Sequence, residues 1–362
     1  MRDLAMITKI QDISPIEGKD RIELATVENY PVIVQKGEYK VGGLVVYVFY
    51  DTVLPQKPEF EFLRARCWSE LYQGMRIKNM KMAGVFSSGI IFPLSILPLN
   101  TKIKEGAGVA YELGVVKYNP EEMKEKKIPT KHSKLYKYFM RFYWFRLLTR
   151  KKKPQRTYPI TVSKSDEVNI EAIYNYLQEK HPVAKYYVTE KMEGQAFTGM
   201  LYGKRRKYLI FSHNTIRDGN GNWGKVSTKY GIEKELRKEK ENYAIQGEIC
   251  GPGIQRNVYS FTELKLFVYK VTNTKTGEAL GYRRLRLFCD KHNLTFVPIL
   301  KEDVVLPTTL DETIKSATGF SVYGTKVLRE GLVWRSVTDQ HVGFKSKSRE
   351  YAMWFEKGNK TE

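Results

Sequence analysis

A lysine becomes a nucleophile once its amine gives up a proton, through burial or a nearby cation. One lysine of this chain sits where that could happen. Tyr187-Val188-Thr189-Glu190-Lys191-Met192-Glu193-Gly194 reads as a strand running into a tight turn, with Lys191 at its mouth. Val188 and Thr189 are β-branched and favour the strand. Gly194 lets the backbone pass closely around whatever Lys191 touches. A bare Lys-x-Glu-Gly is four residues long and is ordinarily an exposed lysine between two solubilising carboxylates. Three stretches downstream change that reading. Gln246-Gly247-Glu248 brings a carboxylate to the end of a strand, before the Gly251-Pro252-Gly253 turn. Leu328-Arg329-Glu330-Gly331-Leu332-Val333-Trp334-Arg335 places a second carboxylate, Glu330, ahead of an apolar run. In Gly343-Phe344-Lys345-Ser346-Lys347 two lysines stand two apart, so both amines leave one face of a strand. There they can offset charge that develops on a shared group.

With Lys191, these stretches come in the order of nucleotidyl transferase motifs I, III or IIIa, IV and V of covalent ligases and capping enzymes. The chain resembles an ATP-dependent RNA ligase. Within that superfamily it is most similar to RNA ligase family 5, whose OB-type domain precedes the nucleotidyltransferase domain. The resemblance covers nearly the whole chain. It implies an α+β protein, an N-terminal OB-type β barrel followed by a nucleotidyltransferase domain of ATP-grasp-like antiparallel sheets with helices. The stretch Ala244 to Asn257 carries it more specifically than the short motifs do.

The resemblance also implies roles. Lys191 attacks the α-phosphate of ATP and forms lysyl-AMP, which requires a neutral amine although lysine's reference pKa is about 10.4. Lys345 and Lys347 assist as catalytic residues, and as cations they favour the neutral amine. Glu190 helps read adenine. Glu193 stands where relatives carry Asp, so the carboxylate is kept but lengthened, and it is expected at the nucleotide. Glu248 contacts the ribose or a metal-bound water. Glu330 holds a divalent ion, Mg²⁺ or Mn²⁺. Leu209-Ile210-Phe211-Ser212-His213-Asn214 falls where RNA ligases often show Ser-Arg-Asn. His213 replaces that arginine, and Arg217, four residues on, can supply the guanidinium instead. Phe267 and Tyr269 lie on one face of the alternating strand Leu264 to Val271, and one of them stacks on adenine; Phe267 is the expected one, with core packing accounting for the other.

The chain has 362 residues, enough for two domains with a sizeable core in each. Its 61 basic and 40 acidic residues give a formal charge of +21, a field that attracts a polyanion. Nucleic acid is the first candidate and an anionic membrane surface the second. Cys67, Cys250 and Cys289 are far apart and form no C-x-x-C pair, which argues against zinc and for a reducing, intracellular compartment. The start lacks the long apolar segment of a signal peptide, and no run approaches the roughly 20 residues of a membrane span. No membrane association and a monomer are therefore expected.

Three segments follow. Residues 1–118 carry short apolar runs at Ile22 to Val27, Val32 to Val34 and Leu44 to Val48 between glycine turns, with a further run from Val85 that Pro93 closes. Arg76, Lys78 and Lys81 precede that last run and could track a phosphate backbone. Residues 119–157 form a basic aromatic linker. Lys124 to Arg156 holds thirteen Lys or Arg and one acidic residue, and Leu135, Tyr138, Phe142, Phe145 and Leu148 follow helical spacing. Lys151, Lys152 and Lys153 close this pattern as candidate RNA contacts. Residues 158–362 form the nucleotidyltransferase domain, with helices expected at Val168 to Lys180, Ile232 to Lys240 and Ser348 to Phe355.

The reading that follows is an RNA repair enzyme that seals RNA ends, nicked or single-stranded, bearing a 3′-OH and a 5′-phosphate. A DNA ligase or GTP-using capping enzyme is the nearest enzymatic alternative; those usually place an OB domain after motif V, where only about fifteen residues follow Lys347 here. A non-catalytic RNA-binding protein is the other, against which stands the complete set Lys191, Glu248, Glu330, Lys345 and Lys347.

Overall fold

Where the sequence alternates, the chain forms strands, and the helices cover the backs of the sheets they build. The computed structural model describes residues 3–119, 158–159, 161–162, 167–213, 215–217, 219, 221–339 and 341–356. The linker helix expected around residues 135–148 and Lys151, Lys152 and Lys153 lie outside the described residues. The chain divides into two compact units, Met1–Phe145 with Ala352–Glu362, and Arg146–Tyr351. No helix among the described residues is long and apolar enough to cross a membrane.

The first unit is built on one long strand, Ala5–Pro15. Its first half pairs with Leu44–Val48 and its second with Ile22–Val27, both antiparallel. The register slips between Ile10 and Asp12, and such a bulge bends a strand and increases its twist. Ala5 and Ile7 thus enter one core cluster, with Val46, Leu54 and Met75, while Ile10 enters another with Val32, Tyr47 and Ile91. A five-stranded sheet, in the order Ile90–Phe92, Leu44–Val48, Ala5–Pro15, Ile22–Val27, Tyr30–Gln35, and a four-stranded sheet around Thr52–Pro55 and Gly74–Ile77 complete it. The expected run from Val85 is two strands, Val85–Ser87 and Ile90–Phe92. Between them Gly89 has φ +79°, and a Cβ there would come within 2.5 Å of the Tyr47 ring. Pro93 does close the second strand.

The second unit holds two large sheets and a two-stranded one, Phe320–Ser321 with Gly324–Leu328. In the five-stranded sheet the order is Val168–Asn169, Gly343–Lys347, Gly331–Ser336, Lys185–Glu190, Ile299–Val305. In the six-stranded sheet it is Ile216–Arg217, Lys207–Phe211, Gln195–Tyr202, Tyr243–Cys250, Lys265–Asn273, Thr295–Phe296. Each large sheet buries one face against helices. Tyr186, Val188, Leu332, Trp334 and Phe344 pack with Ile170, Leu177 and Ile314 from the helices Ile170–Lys180 and Leu310–Ser316. Phe197, Ile245, Ile249, Leu266 and Val268 pack with Val226, Leu236, Leu285 and Phe288 from the helices Gly221–Lys229, Ile232–Arg237 and Tyr282–Lys291. The helix read from Val168 begins at Ile170, because Val168 and Asn169 pair in parallel with Phe344 and Lys345. The residues that alternate with these core positions are left for the opposite faces.

Candidate active site

Lys191 sits where the chain passes from one sheet to the other. The strand Lys185–Glu190 belongs to the five-stranded sheet and Gln195–Tyr202 to the six-stranded one. The turn between them is pinned at several points. Glu190 N–H donates to Pro298 C=O at 2.9 Å and Lys191 N–H to Gly331 C=O at 2.9 Å. Gln255 Nε2 donates to Gly194 C=O at 2.6 Å. Gly194 is required by space: a Cβ there would lie 2.3 Å from the Ile249 carbonyl oxygen and 2.8 Å from Glu248 Cγ. The nucleophile candidate is therefore held by backbone rather than carried on a free loop.

A cavity of about 220 Å³ opens beside this turn. Its walls follow from strand parity. Thr189, Val333, Arg335, Lys345 and Lys347 line it from the five-stranded sheet, while Val188, Leu332, Trp334 and Phe344 face the opposite way into the core. Ala196, Glu248 and Tyr269 line it from the six-stranded sheet, opposite the core residues Phe197, Ile249 and Val268. Glu190, Lys191, Met192, His213, Val297 and Glu167 complete the wall. Lys345 pairs with Val333 and Lys347 with Gly331, so both lysines stand on the face that carries the cavity.

Lys191 Nζ forms an ion pair with Glu330 Oε1 at 2.6 Å, both side chains being mostly buried. Nucleophilic attack by this amine requires the pair to open. Glu190 is 1% exposed. Its Oε2 accepts from Val322 N–H at 3.0 Å, and Oε1 has no partner among the described residues. Burial holds this carboxyl above the usual carboxylate range, against the hydrogen bonds from Ser321 and Val322. An acceptor buried without a partner is poised for a ligand donor.

Three expectations on individual residues are corrected by the geometry. Phe267 and Tyr269 do share a strand face, but Phe267 is 1% exposed within an aromatic cluster with Phe261 and Tyr323, and Tyr269 is the one that lines the cavity. Arg217 lies outside the cavity wall, its guanidinium stacked 4.1 Å above the Trp223 ring; His213 takes the place in the wall. Glu193 does not line the cavity either. Its carboxylate accepts a hydrogen bond from the Tyr351 hydroxyl, and its backbone N–H donates to Tyr259 Oη at 2.7 Å. It braces the turn from behind.

Burial, and then the neighbouring Glu330 carboxylate, push the Glu193 carboxyl up to about 7, against Lys191 and Arg256. A carboxyl raised in the folded state binds its proton more tightly there than in the unfolded chain. Its contribution is therefore present at low pH and is lost as pH rises from about 4.5 to about 7. The stability of Glu193→Gln relative to wild type should rise over that window by on the order of 3 kcal/mol, since the amide keeps an acceptor for Tyr351 and carries no charge. Thermal unfolding of both proteins across the window, without divalent metal, measures it. A difference that does not change with pH would contradict the assignment.

Of the candidate RNA contacts, Arg76 is engaged within the first unit. Its guanidinium pairs with Glu356 at 2.7 Å and lies 4.0 Å from the Tyr118 ring centroid. Lys78 is half-buried and Lys81 exposed on the hairpin strand Met80–Met82. Glu167 and Arg335 had no assigned role in the sequence; Arg335 could have been found from its parity with Val333, Glu167 from no local signal.

Comparison with known proteins agrees with this layout. Residues 4–94 match the family model of an OB-fold domain and residues 184–349 that of RNA ligase. Among solved structures, the chain is similar to the RNA ligase of Naegleria gruberi with PPi, at 22% identity over 99% of this chain and 100% of that one, TM-score 0.82. It is likewise similar to mutant forms of that ligase with AMP and Mn (23%, 97% and 98%, TM-score 0.81) and with ATP and Mn (22%, 99% and 99%, TM-score 0.81). At these identities the likeness is one of fold. No curated protein matches by sequence. The fold and the matched domain define a nucleotidyltransferase-type ligase domain behind an OB-fold domain. The second domain carries the match to the RNA ligase family model, over residues 184–349.

Proposed function

We propose that this protein is an RNA ligase that uses ATP to join a 3′-OH and a 5′-phosphate RNA end through Lys191-AMP. The observation that carries the proposal is the meeting of Lys191, Glu330, Lys345, Lys347 and Glu248, from both sheets, around one cavity wall and its mouth. In the first step the neutral Lys191 amine attacks the α-phosphorus of ATP. A P–N bond forms and the P–O bond to pyrophosphate breaks. Lys345 and Lys347 offset the charge that gathers on the α-phosphate oxygens. In the second step the RNA 5′-phosphate takes the AMP from Lys191, and in the third the 3′-OH displaces it. Tyr269 and Val333 bound the part of the cavity away from Lys347 and supply apolar faces for a base, while the Glu190 carboxylate supplies an acceptor for an amino group.

A divalent cation, Mg²⁺ or Mn²⁺, fits the donor set. The described residues offer no cluster of three or more metal-ligating side chains, but Glu330 and Glu248 offer two carboxylates. Such ions are commonly held by one or two carboxylates, with water and substrate phosphates as the remaining ligands. When bound, the ion would neutralise phosphate charge. The Naegleria ligase structures with ATP or AMP and Mn support both cofactors.

The OB-fold domain and the basic segment, with Lys78, Lys81 and Lys151 to Lys153, are proposed to hold RNA, and the three free thiols suit a reducing compartment. Labelled ATP and labelled GTP, followed by RNA with a 5′-phosphate and a 3′-OH, test the whole reading. ATP should label the protein, GTP should not, and the RNA should be sealed. Equal labelling by GTP without sealing would favour a capping-type enzyme. In RNA-binding measurements at several salt concentrations, Lys151, Lys152 and Lys153 replaced by Gln should lower the salt dependence by roughly 0.7 in slope per lost phosphate contact. An unchanged slope would remove those lysines from the interface.

A further inference from the structure

The cavity wall that carries the lysines also holds, at its far end, an ion pair with a donor to spare. Arg335 Nε donates to Glu167 Oε1 at 3.1 Å, and Nη2 lies 3.0 Å from the same oxygen in an ion pair. Both residues line the cavity. Arg335 Nη1 is buried and has no hydrogen-bond partner among the described residues. Register fixes where the pair stands. Gly331 is opposite Lys347, Val333 opposite Lys345, and Arg335 opposite Gly343. Arg335 is therefore two residues beyond Val333 and four beyond Gly331 on one sheet face, about 13 Å along the strand from the end that holds Lys347. On the neighbouring strand it faces Tyr187, four residues before Lys191. Its guanidinium carbon lies 5.4 Å from the centroid of the Tyr269 ring, the aromatic wall of the cavity. The lysines mark the phosphate end of this face, and the Arg335–Glu167 pair marks the other.

We propose that Arg335 and Glu167 read the polar edge of the nucleotide's base and set the preference for adenine over guanine. This rests on the reading of Lys191 as the residue that accepts AMP. The pair offers a donor beside an acceptor. Adenine offers the complement on either of its polar edges, an exocyclic amino donor at C6 beside a ring-nitrogen acceptor. The amino group donates one of its two hydrogens to the Glu167 carboxylate, leaving the other for Glu190, and the ring nitrogen accepts from Arg335. Guanine carries a carbonyl at the same position, so its oxygen meets a carboxylate and both go unpaired. Rejection of that kind is severe, because a buried polar group is left without a partner. The ion pair also keeps the guanidinium in plane, since two of its three nitrogens are already fixed.

The test measures labelling of the full-length protein by ATP, GTP, 1-deaza-ATP and 7-deaza-ATP, for wild type, Arg335→Met, Arg335→Lys and Glu167→Gln. The wild type should take ATP over GTP and be slowed roughly 10- to 100-fold, in labelling at subsaturating nucleotide, by the deaza analogue that lacks the acceptor facing Arg335. Arg335→Met should lose that penalty, treating the analogue and ATP alike, and Arg335→Lys should restore part of it. Glu167→Gln keeps the shape and adds a donor for a carbonyl, so its GTP-to-ATP ratio should rise at least tenfold; it decides the question alone if Arg335→Met does not fold. An unpenalised wild type with both deaza analogues, or variants that lower ATP and GTP labelling in parallel, would overturn the proposal and reduce the pair to a structural wall. A wild type that ATP does not label at Lys191 would instead overturn the underlying reading and this inference with it.

Discussion

Lys191→Ala should abolish transfer of label from ATP to the protein, a loss on the order of 10⁴-fold or more. On the proposed mechanism the amine is the attacking atom, so no neighbouring group replaces it. Lys345 and Lys347 line the same cavity, but their place on the strand is fixed by pairing with Val333 and Gly331. Lys191 is tied by its own backbone to Gly331 and by its side chain to Glu330. The fold should survive, because the truncated side chain is partly exposed and the turn is held by main-chain hydrogen bonds. The variant should still seal RNA whose 5′ end is already adenylylated, since that step needs no lysyl-AMP. Single-turnover labelling and sealing of pre-adenylylated RNA separate the two. Undiminished labelling would remove Lys191 as the nucleophile; loss of both activities in a folded variant would give it a wider role than the one argued here.

Alanine at Lys345 or at Lys347 should each slow labelling by roughly 10² to 10³, with little change in thermal stability. The two side chains leave the cavity face of Gly343–Lys347, whereas Ser346 between them is buried and its hydroxyl accepts from Trp334 Nε1 at 3.1 Å on the core face. Removing either charge therefore leaves the core packing of the strand in place, and on the proposed mechanism it removes charge from where the α-phosphate gains it. The measurement is the rate of the chemical step at saturating ATP beside the unfolding temperature. A drop in stability that accounts for the lost rate would mean that the lysines support the strand instead.

The residues that meet at the cavity and its mouth were legible because each part is local. Lys191, Glu248, Glu330, Lys345 and Lys347 each stand in a short stretch whose type and order carry meaning, and parity along a strand decides which way a side chain points. The short strands Ile22–Val27 and Leu44–Val48 were legible for the same reason. What failed was depth. Alternation puts Phe267 and Tyr269 on one face, but only the packing of Phe261 and Tyr323 against Phe267 decides which one reaches the cavity. Glu193 looked like a ligand group because its partner, Tyr351, lies 158 residues away. Arg217 was placed by sequence distance from His213, whereas stacking on Trp223 turns it elsewhere. Glu167 stands in no motif; its meaning comes from Arg335, 168 residues on.

The most direct test of the central claim is to incubate the wild-type protein with ATP and a divalent metal, digest it, and locate the modified residue by mass. The account predicts one AMP on Lys191, released when RNA with a 5′-phosphate is added. AMP on any other residue, or no covalent adduct in a protein that seals RNA, would contradict it.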